Sequence, residues 1–329
     1  MSATRANVLT HGHCFDGLVS AVLFTRLLSH VDPKPDRVFH YRSCGYGPKL
    51  KTIPRGWLAA DVNAILDFRY TEDDRLTYYF DHHKTGFSSP REQDTAIERV
   101  ERSGGRRKLY FDPTCSSCAK LIARVANDTY GLPFEEHRDL IAWADRVDAA
   151  RFDDPEEAFF GRPPALVLAD VVERHGDTPF LARIVPMLCE KTIEEAAASE
   201  EIAQLAAPLA GMKDVFLEAV RRAGKMRGDV AVIDLGDASP TPAGKFATYV
   251  AFPDCRYSII LIRTKDQLKL GVGFNPWSGK ERTHDIATLC QREGGGGHPV
   301  VGAVNFAHAD LDRARAALER IAAALTDAP

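Results

Sequence analysis

The sequence has no apolar stretch near the roughly 18 residues that a membrane helix requires, so a helical membrane protein is excluded. The opening residues, Met1-Ser2-Ala3-Thr4-Arg5-Ala6, lack the apolar segment of a secretory signal. Basic charge is not in excess: 42 Lys and Arg stand against 46 Asp and Glu, for a net charge of -4. That balance argues against long nucleic acid held on a broad basic surface. It leaves open a short, phosphate-bearing substrate held through metal ions. Cysteine is sparse and odd in number, seven in all, with no small-scaffold spacing. A disulfide framework is thereby disfavoured, and reduced thiols in a cytoplasm are expected. Cys115-Ser116-Ser117-Cys118 has the spacing of half a zinc knuckle, but no second pair follows. It reads as small residues opening a helix.

What is present is an ordinary globular composition over 329 residues, 45% apolar and 27% charged, enough for about two domains. In the N-terminal part short strand-like runs alternate with helical ones. Residues 7–10, 37–43, 62–66, 76–80 and 108–111 read as strands. Residues 18–28, 116–128 and 135–147 read as helices. That alternation predicts a parallel sheet covered on both faces. Residues 88–108, polar and basic with Gly104-Gly105 and Arg106-Arg107-Lys108, read as a mobile excursion. Residues 192–222, rich in Ala, Glu and Leu, predict a long helix or helix pair. A second α/β unit follows, with strands expected over 229–234, 246–251, 257–262 and 269–273. Helices are expected over 286–292 and 310–325.

Acids and histidines gather where strands end. Thr10-His11-Gly12-His13-Cys14-Phe15-Asp16-Gly17 follows the first strand, Asp67 ends the third, and Asp81-His82-His83 ends the fourth. Asp145 lies in Ala144-Asp145-Arg146-Val147-Asp148, near the end of a helix. One such Asp is usually a cap or turn former. Successive strand ends of this kind are harder to explain by capping, and in open α/β sheets ligands bind beyond the carboxyl ends of strands. Oxygen and imidazole donors suit Mn²⁺ or a similar octahedral ion. Two ions of a hydrolytic pair need a shared carboxylate, and Asp67 is placed to be that bridge.

The set resembles the DHH phosphoesterase superfamily, named for the triplet that stands here as Asp81-His82-His83. His11 with Asp16-Gly17 looks like its first motif, Asp67 its second and Asp145 its fourth. Gly295-Gly296-Gly297-His298 looks like the signature of the DHH-associated C-terminal domain. The resemblance implies that His11 and Asp67 hold one metal, and that Asp16, Asp67, His82 and Asp145 hold the other. It implies that His83 contacts the scissile phosphate, and that Asp81 orients the histidines or lies near a metal. Gly295, Gly296, Gly297 and His298 would bind the distal part of the substrate. Cys14 stands where an Asp is commonest, similar to a branch with His-Gly-x-Cys-x-Asp-Gly; as a ligand its thiolate would suit Zn²⁺ better than Mn²⁺.

The resemblance implies an α/β protein of two lobes: a parallel-sheet DHH catalytic domain over 1–190, a helical linker over 191–227 and a smaller α/β substrate domain over 228–329, with the active site in the cleft. It implies hydrolysis of phosphodiester bonds in dinucleotides or short oligonucleotides by a water activated on two Mn²⁺, with Mg²⁺, Zn²⁺ or Co²⁺ as substitutes. A homodimer and a cytoplasmic location are compatible with it. Three alternatives stand beside it: a 3′,5′-bisphosphate nucleotide phosphatase; a single-strand exonuclease with Arg99, Arg102, Arg106, Arg107 and Lys108 along the strand path; and a nucleotide-binding protein with a degenerate metal site.

Overall fold

The chain enters on β1 (Arg5–His11), whose residues 6–10 are buried on both faces, as expected of a central parallel strand. The computed structural model describes residues 3–45 and 53–326. After β1 comes α1 (Phe15–Val31), with 13 buried residues out of 17. A helix apolar all round must be enclosed on all sides, and α1 is the buried centre of its unit. The chain continues through β2 (Val38–Cys44), β3 (Val62–Leu66), β4 (Tyr78–Asp81), α2 (Pro90–Arg102), β5 (Lys108–Phe111), α3 (Cys118–Tyr130) and α4 (Arg138–Asp148). Then follow α5 (Pro155–Phe160), α6 (Pro164–His175), α7 (Thr178–Glu190), α8 (Ile193–Ala197) and α9 (Glu200–Ala223). Packing divides the chain into two compact units. One holds the residues up to Arg151 together with Pro163–Ala206; the other holds Phe152–Arg162 and the residues from Ala207 onward.

The first unit is built on a parallel five-stranded sheet of order β2-β1-β3-β4-β5. Its strand order reverses between β1 and β3, the switch point at which ligands bind in sheets of this order. Thr10 pairs with Leu66, so His11 and Asp67 emerge side by side from those two strands. One face of the sheet carries Leu9, Ile65, Tyr79, Phe68 and Phe87, while α1 is flanked by α3, α4, α6 and α7.

The second unit contains β6 (Gly224–Arg227), β7 (Val230–Leu235), α10 (Ala247–Ala251), β8 (Tyr257–Arg263), β9 (Leu268–Phe274), α11 (Ile286–Arg292), β10 (Gly296–His298), β11 (Val301–Phe306) and α12 (Leu311–Thr326). Its mixed sheet has the order β10-β11-β9-β8-β7-β6, with only β7 and β8 parallel. One core joins Ile259, Leu261, Leu270 and Val272 to Leu318 and Ile321 of α12.

Two expectations from the sequence are corrected here. Residues 88–108 are no excursion: α2 fills most of the stretch, with Ser89 as N-cap accepting the Glu92 amide and Pro90 in the first turn. Residues 246–251 form the helix α10, not a strand. In the glycine run, Gly296–His298 form the edge strand β10, paired antiparallel to β11. Among the described residues no helix is long and apolar enough to cross a membrane.

Candidate metal centre

Asp67 is the middle of the site. It follows β3 with a positive φ of 53°, a conformation few non-glycine residues adopt and one that clusters at functional sites. The carboxylate is completely buried, and neither oxygen has a hydrogen-bond partner. Three imidazoles surround it just beyond hydrogen-bond range. His11 Nδ1 lies 3.6 Å from Oδ2, and His82 Nε2 and His83 Nδ1 lie 3.5 and 3.6 Å from Oδ1. Burial would push this carboxyl up, but the imidazoles outweigh it and hold it below the usual carboxylate range.

Asp16 sits in the first turn of α1. Its Oδ1 accepts from the Ala119 amide at 2.9 Å and its Oδ2 from the Cys118 amide at 2.7 Å, both at the start of α3. The backbone amides fix the carboxylate while Oδ2 still lies 3.7 Å from His82 Nε2. Gly17 permits this turn, because a Cβ there would lie 2.2 Å from the His11 carbonyl oxygen. His82 is oriented from behind: its Nδ1 faces the Cys115 carbonyl at 3.1 Å, so Nε2 is presented to the acids. Burial disfavours the charged imidazole, but Asp67, Asp16 and Asp148 outweigh it and raise its pKa. Burial, then the charge of Asp67, pushes the carboxyls of Asp16 and Asp148 up. Three acids around one imidazole nitrogen demand positive charge, supplied by protons or by a cation.

Asp148, not Asp145, is the α4 carboxylate that joins this cluster. Its Oδ2 lies 3.4 Å from His82 Nε2. Asp145, one turn earlier, accepts from Ser116 Oγ, Arg151 and, at 3.1 Å, Lys120 Nζ. Two acids three residues apart share a helix face, so packing alone selects Asp148 over the expected Asp145. The partner set of Asp145 is cationic, and it stands outside every group of side chains able to chelate an ion.

Among the described residues those groups are three: His11 with Cys14 and Asp67; Asp67 with His82 and His83; and Asp16 with His82 and Asp148. In each, the donor atoms lie within 4.8 Å of one another. Cys14, the N-cap residue of α1 without a side-chain cap bond, is thus brought to the site. Burial, then the charges of Asp67 and Asp16, push its thiol pKa well up, so only a cation would favour the thiolate. His13 turns away, with φ of 55° and Nδ1 3.1 Å from the Glu173 carbonyl.

Asp81 belongs to none of the three groups. Fully buried, it accepts from His83 Nδ1 at 2.8 Å through Oδ1 and from Tyr79 Oη at 3.0 Å through Oδ2. It orients His83 alone, since His82 is set by Cys115. Tyr79, Cys115 and Asp148 carry no motif signal; only their packing reveals them. In the second unit His298 ends β10 and is exposed, and Gly297 pairs with Gly302. Gly295 has no room for a side chain, since a Cβ would lie 2.2 Å from the Ala303 carbonyl oxygen.

No family model and no curated protein matches the chain. Solved structures do. The pGpG-specific phosphodiesterase PggH from Vibrio cholerae is 20% identical with a TM-score of 0.65, covering 97% of this chain and 99% of that one. An exonuclease RecJ bound to manganese is 15% identical with a TM-score of 0.54, covering 98% and 90%. A DHH domain from a member of the s1p family of ribosomal proteins is 14% identical with a TM-score of 0.52, covering 99% and 88%. The chain has the fold of these proteins along its whole length.

Proposed function

We propose that this chain, which has the fold of the DHH phosphoesterases, is a metal-dependent phosphodiesterase acting on linear dinucleotides or other short oligonucleotides. Asp67 carries the reading. A buried carboxylate with two unpaired oxygens, ringed by imidazoles at 3.5 to 3.6 Å, is costly as an isolated polar group and favourable around a cation. The donor set of carboxylates and imidazoles suits Mn²⁺, and Cys14 adds tolerance for Zn²⁺. His11, Cys14 and Asp67 would hold one ion; Asp16, Asp67, His82 and Asp148 would hold the other. Bound divalent ions supply Lewis acidity, which lowers the pKa of water and neutralises phosphate charge.

The protein's own groups do the remainder. Asp67 would help to hold both ions. Asp81 accepts from Nδ1 of His83 and favours the imidazolium, so His83 would hold its second proton at Nε2 and donate it to an oxygen of the scissile phosphate. The amides of Cys118 and Ala119 hold Asp16 in place without occupying all its lone pairs. The first unit would be the catalytic domain, and the second a substrate domain presenting Gly295, Gly296, Gly297 and His298; the expected helical linker over 191–227 is divided between the two units and ends in the strand β6.

The test is turnover of a panel of linear dinucleotides, pGpG included, by purified protein loaded with Mn²⁺, with a 3′,5′-bisphosphate nucleotide beside it. Release of mononucleotides from the dinucleotides is expected. Turnover of the bisphosphate alone would replace the substrate class, and no turnover of either by manganese-loaded protein would overturn the reading.

A further inference from the structure

At the opposite ends of the strands that carry Asp67 and Asp81, the first unit holds a second concavity, of about 610 Å³. Asn63 and Thr77 line it from the starts of β3 and β4, so β3 separates it from Asp67 by about 13 Å. Five arginines line the same space: Arg75, Arg99, Arg102, Arg106 and Arg107. The only acids among the lining residues are Asp61 and Asp74. Glu72, Asp73 and Glu98 reach Arg99, Arg75 and Arg102 from outside the lining, so it is the lining itself, five guanidiniums to two carboxylates, that runs against the acidic average of the chain.

The cluster is built by the backbone. Gly104 and Gly105 adopt left-handed φ values of 62° and 85°, which reverse the chain after α2. Arg106 Nε then donates to the Ser103 carbonyl at 3.0 Å and the Arg107 amide to Ser103 Oγ at 3.1 Å. The two arginines thereby return beside Arg99 and Arg102. The counter-charges of Arg99 and Arg102 are exposed: Glu72 pairs with Arg99 and Glu98 with Arg102, on side chains 51% and 57% exposed. Arg99 and Arg107 both use Asp74 Oδ1 at 2.9 Å, on a side chain 86% exposed. Arg106 has no carboxylate partner among the described residues. Guanidiniums confined to one concavity repel each other, and their fork matches phosphate oxygens bidentately.

We propose that this concavity binds a small molecule carrying a chain of phosphate groups, through Arg99, Arg102, Arg106 and Arg107. The volume lies in the range of small-ligand sites and exceeds what one phosphate fills. No aromatic residue lines it, so it lacks the stacking platform by which single-stranded nucleic acid is held; recognition rests on the phosphates. The arginines considered for an exonuclease strand path therefore serve a different ligand, at the end of the sheet away from the candidate metal centre. The site needs no metal and does not rest on the function proposed above.

The experiment is calorimetric titration of the full chain in EDTA with tripolyphosphate, ATP, orthophosphate and a 20-mer oligothymidylate. Tripolyphosphate binds the wild type and Asp67→Asn alike, and orthophosphate binds more weakly. Arg106→Gln and Arg102→Gln each weaken tripolyphosphate about tenfold, the scale of a charged hydrogen-bond pair. Arg106→Lys, which keeps the charge but loses the fork, weakens it less. Arg102 is 76% exposed, so its replacement leaves folding intact, which a thermal melt verifies. Affinity equal for ATP and tripolyphosphate assigns an inorganic phosphate chain, and tighter ATP assigns a nucleotide. Unaltered affinity in both arginine-to-glutamine variants overturns the proposal, as does binding lost in Asp67→Asn or His298→Ala. Steeply salt-dependent binding of the oligothymidylate without tripolyphosphate binding overturns it in favour of a nucleic-acid strand.

Discussion

His11 Nδ1 stands 3.6 Å from Asp67 Oδ2 across the switch point between β1 and β3. The separation is too long for a strong hydrogen bond and brings an imidazole and a carboxylate donor to one small space. Asp67 therefore governs cation binding. Asp67→Asn keeps the shape and a side chain tolerant of positive φ but removes the donor charge and one of the two donor oxygens. Orienting groups behind metal ligands cost 10- to 100-fold when removed. A carboxylate shared by two donor groups should cost more than about a hundredfold in activity. Mn²⁺ should raise the melting temperature of the wild type, by mass action on the folded state, and leave that of Asp67→Asn unchanged.

Asp145 and Asp148 separate by experiment. Asp148→Asn should weaken Mn²⁺ binding about tenfold or more in calorimetry, because its Oδ2 faces His82 Nε2. Asp145→Asn should leave Mn²⁺ affinity nearly unchanged. It would lose ion pairs with Lys120 and Arg151, whose side chains are half exposed, and so lower stability by no more than about 1 kcal/mol. Equal loss of metal in the two variants would show that α4 presents both acids.

The contrast also shows what the sequence could reveal. β1, β3 and β4 were legible because buried apolar runs end abruptly in His11, Asp67 and Asp81, where strand propensity and burial stop together. Asp148 was not, because a helix presents residues three apart on the same face and only tertiary packing selects one. Residues 246–251, Phe-Ala-Thr-Tyr-Val-Ala, have strand-forming residues but wind into α10, where Ala247, Thr248 and Tyr249 are buried; tertiary context overrides weak propensity. α2 was obscured by its polar face, although Ser89, Pro90 and Glu92 form a regular helix start.

Cys14 sets metal preference. Its thiol is neutral in the metal-free protein, since burial and neighbouring carboxylates disfavour the thiolate. A Zn²⁺ ion that lowers the thiol pKa gains a soft ligand there, whereas Mn²⁺ gains little. Cys14→Asp should shift the ratio of Mn²⁺ to Zn²⁺ affinity by about tenfold or more toward Mn²⁺. Competition titrations against a chelating dye measure it, and an unchanged ratio would remove Cys14 from the ligand set.

His137 gives a pH dependence independent of the metal centre. Its ring is buried, Nδ1 lacks a hydrogen-bond partner, and burial holds its pKa below 6.5. The unfolded chain therefore takes up this proton at a higher pH than the folded one. Stability from this group is full above the unfolded value and falls as pH drops through 6.5 toward the folded value. His137→Gln should flatten that acid limb in urea melts between pH 7 and 5. A slope unchanged by the substitution would place the titration elsewhere.

Gly86 tests the orientation of His83 without touching a donor to the metal centre. A Cβ at this position would lie 2.0 Å from Asp81 Oδ2 and 2.9 Å from Tyr79 Oη. The clash falls on the side of Asp81 that accepts from Tyr79, so the carboxylate must rotate or shift. Its other oxygen then leaves His83 Nδ1, now 2.8 Å away. Misplacing such a group by about 1 Å can cost about a hundredfold in rate. Gly86→Ala should accordingly reduce kcat by up to about a hundredfold, with Mn²⁺ affinity and KM nearly unchanged. Asp81→Asn should lower kcat similarly, because the amide cannot stabilise the imidazolium. If Gly86→Ala lost Mn²⁺ along with activity, the carboxylate of Asp81 would be holding the metal ligands themselves, and the separate role of His83 would fall.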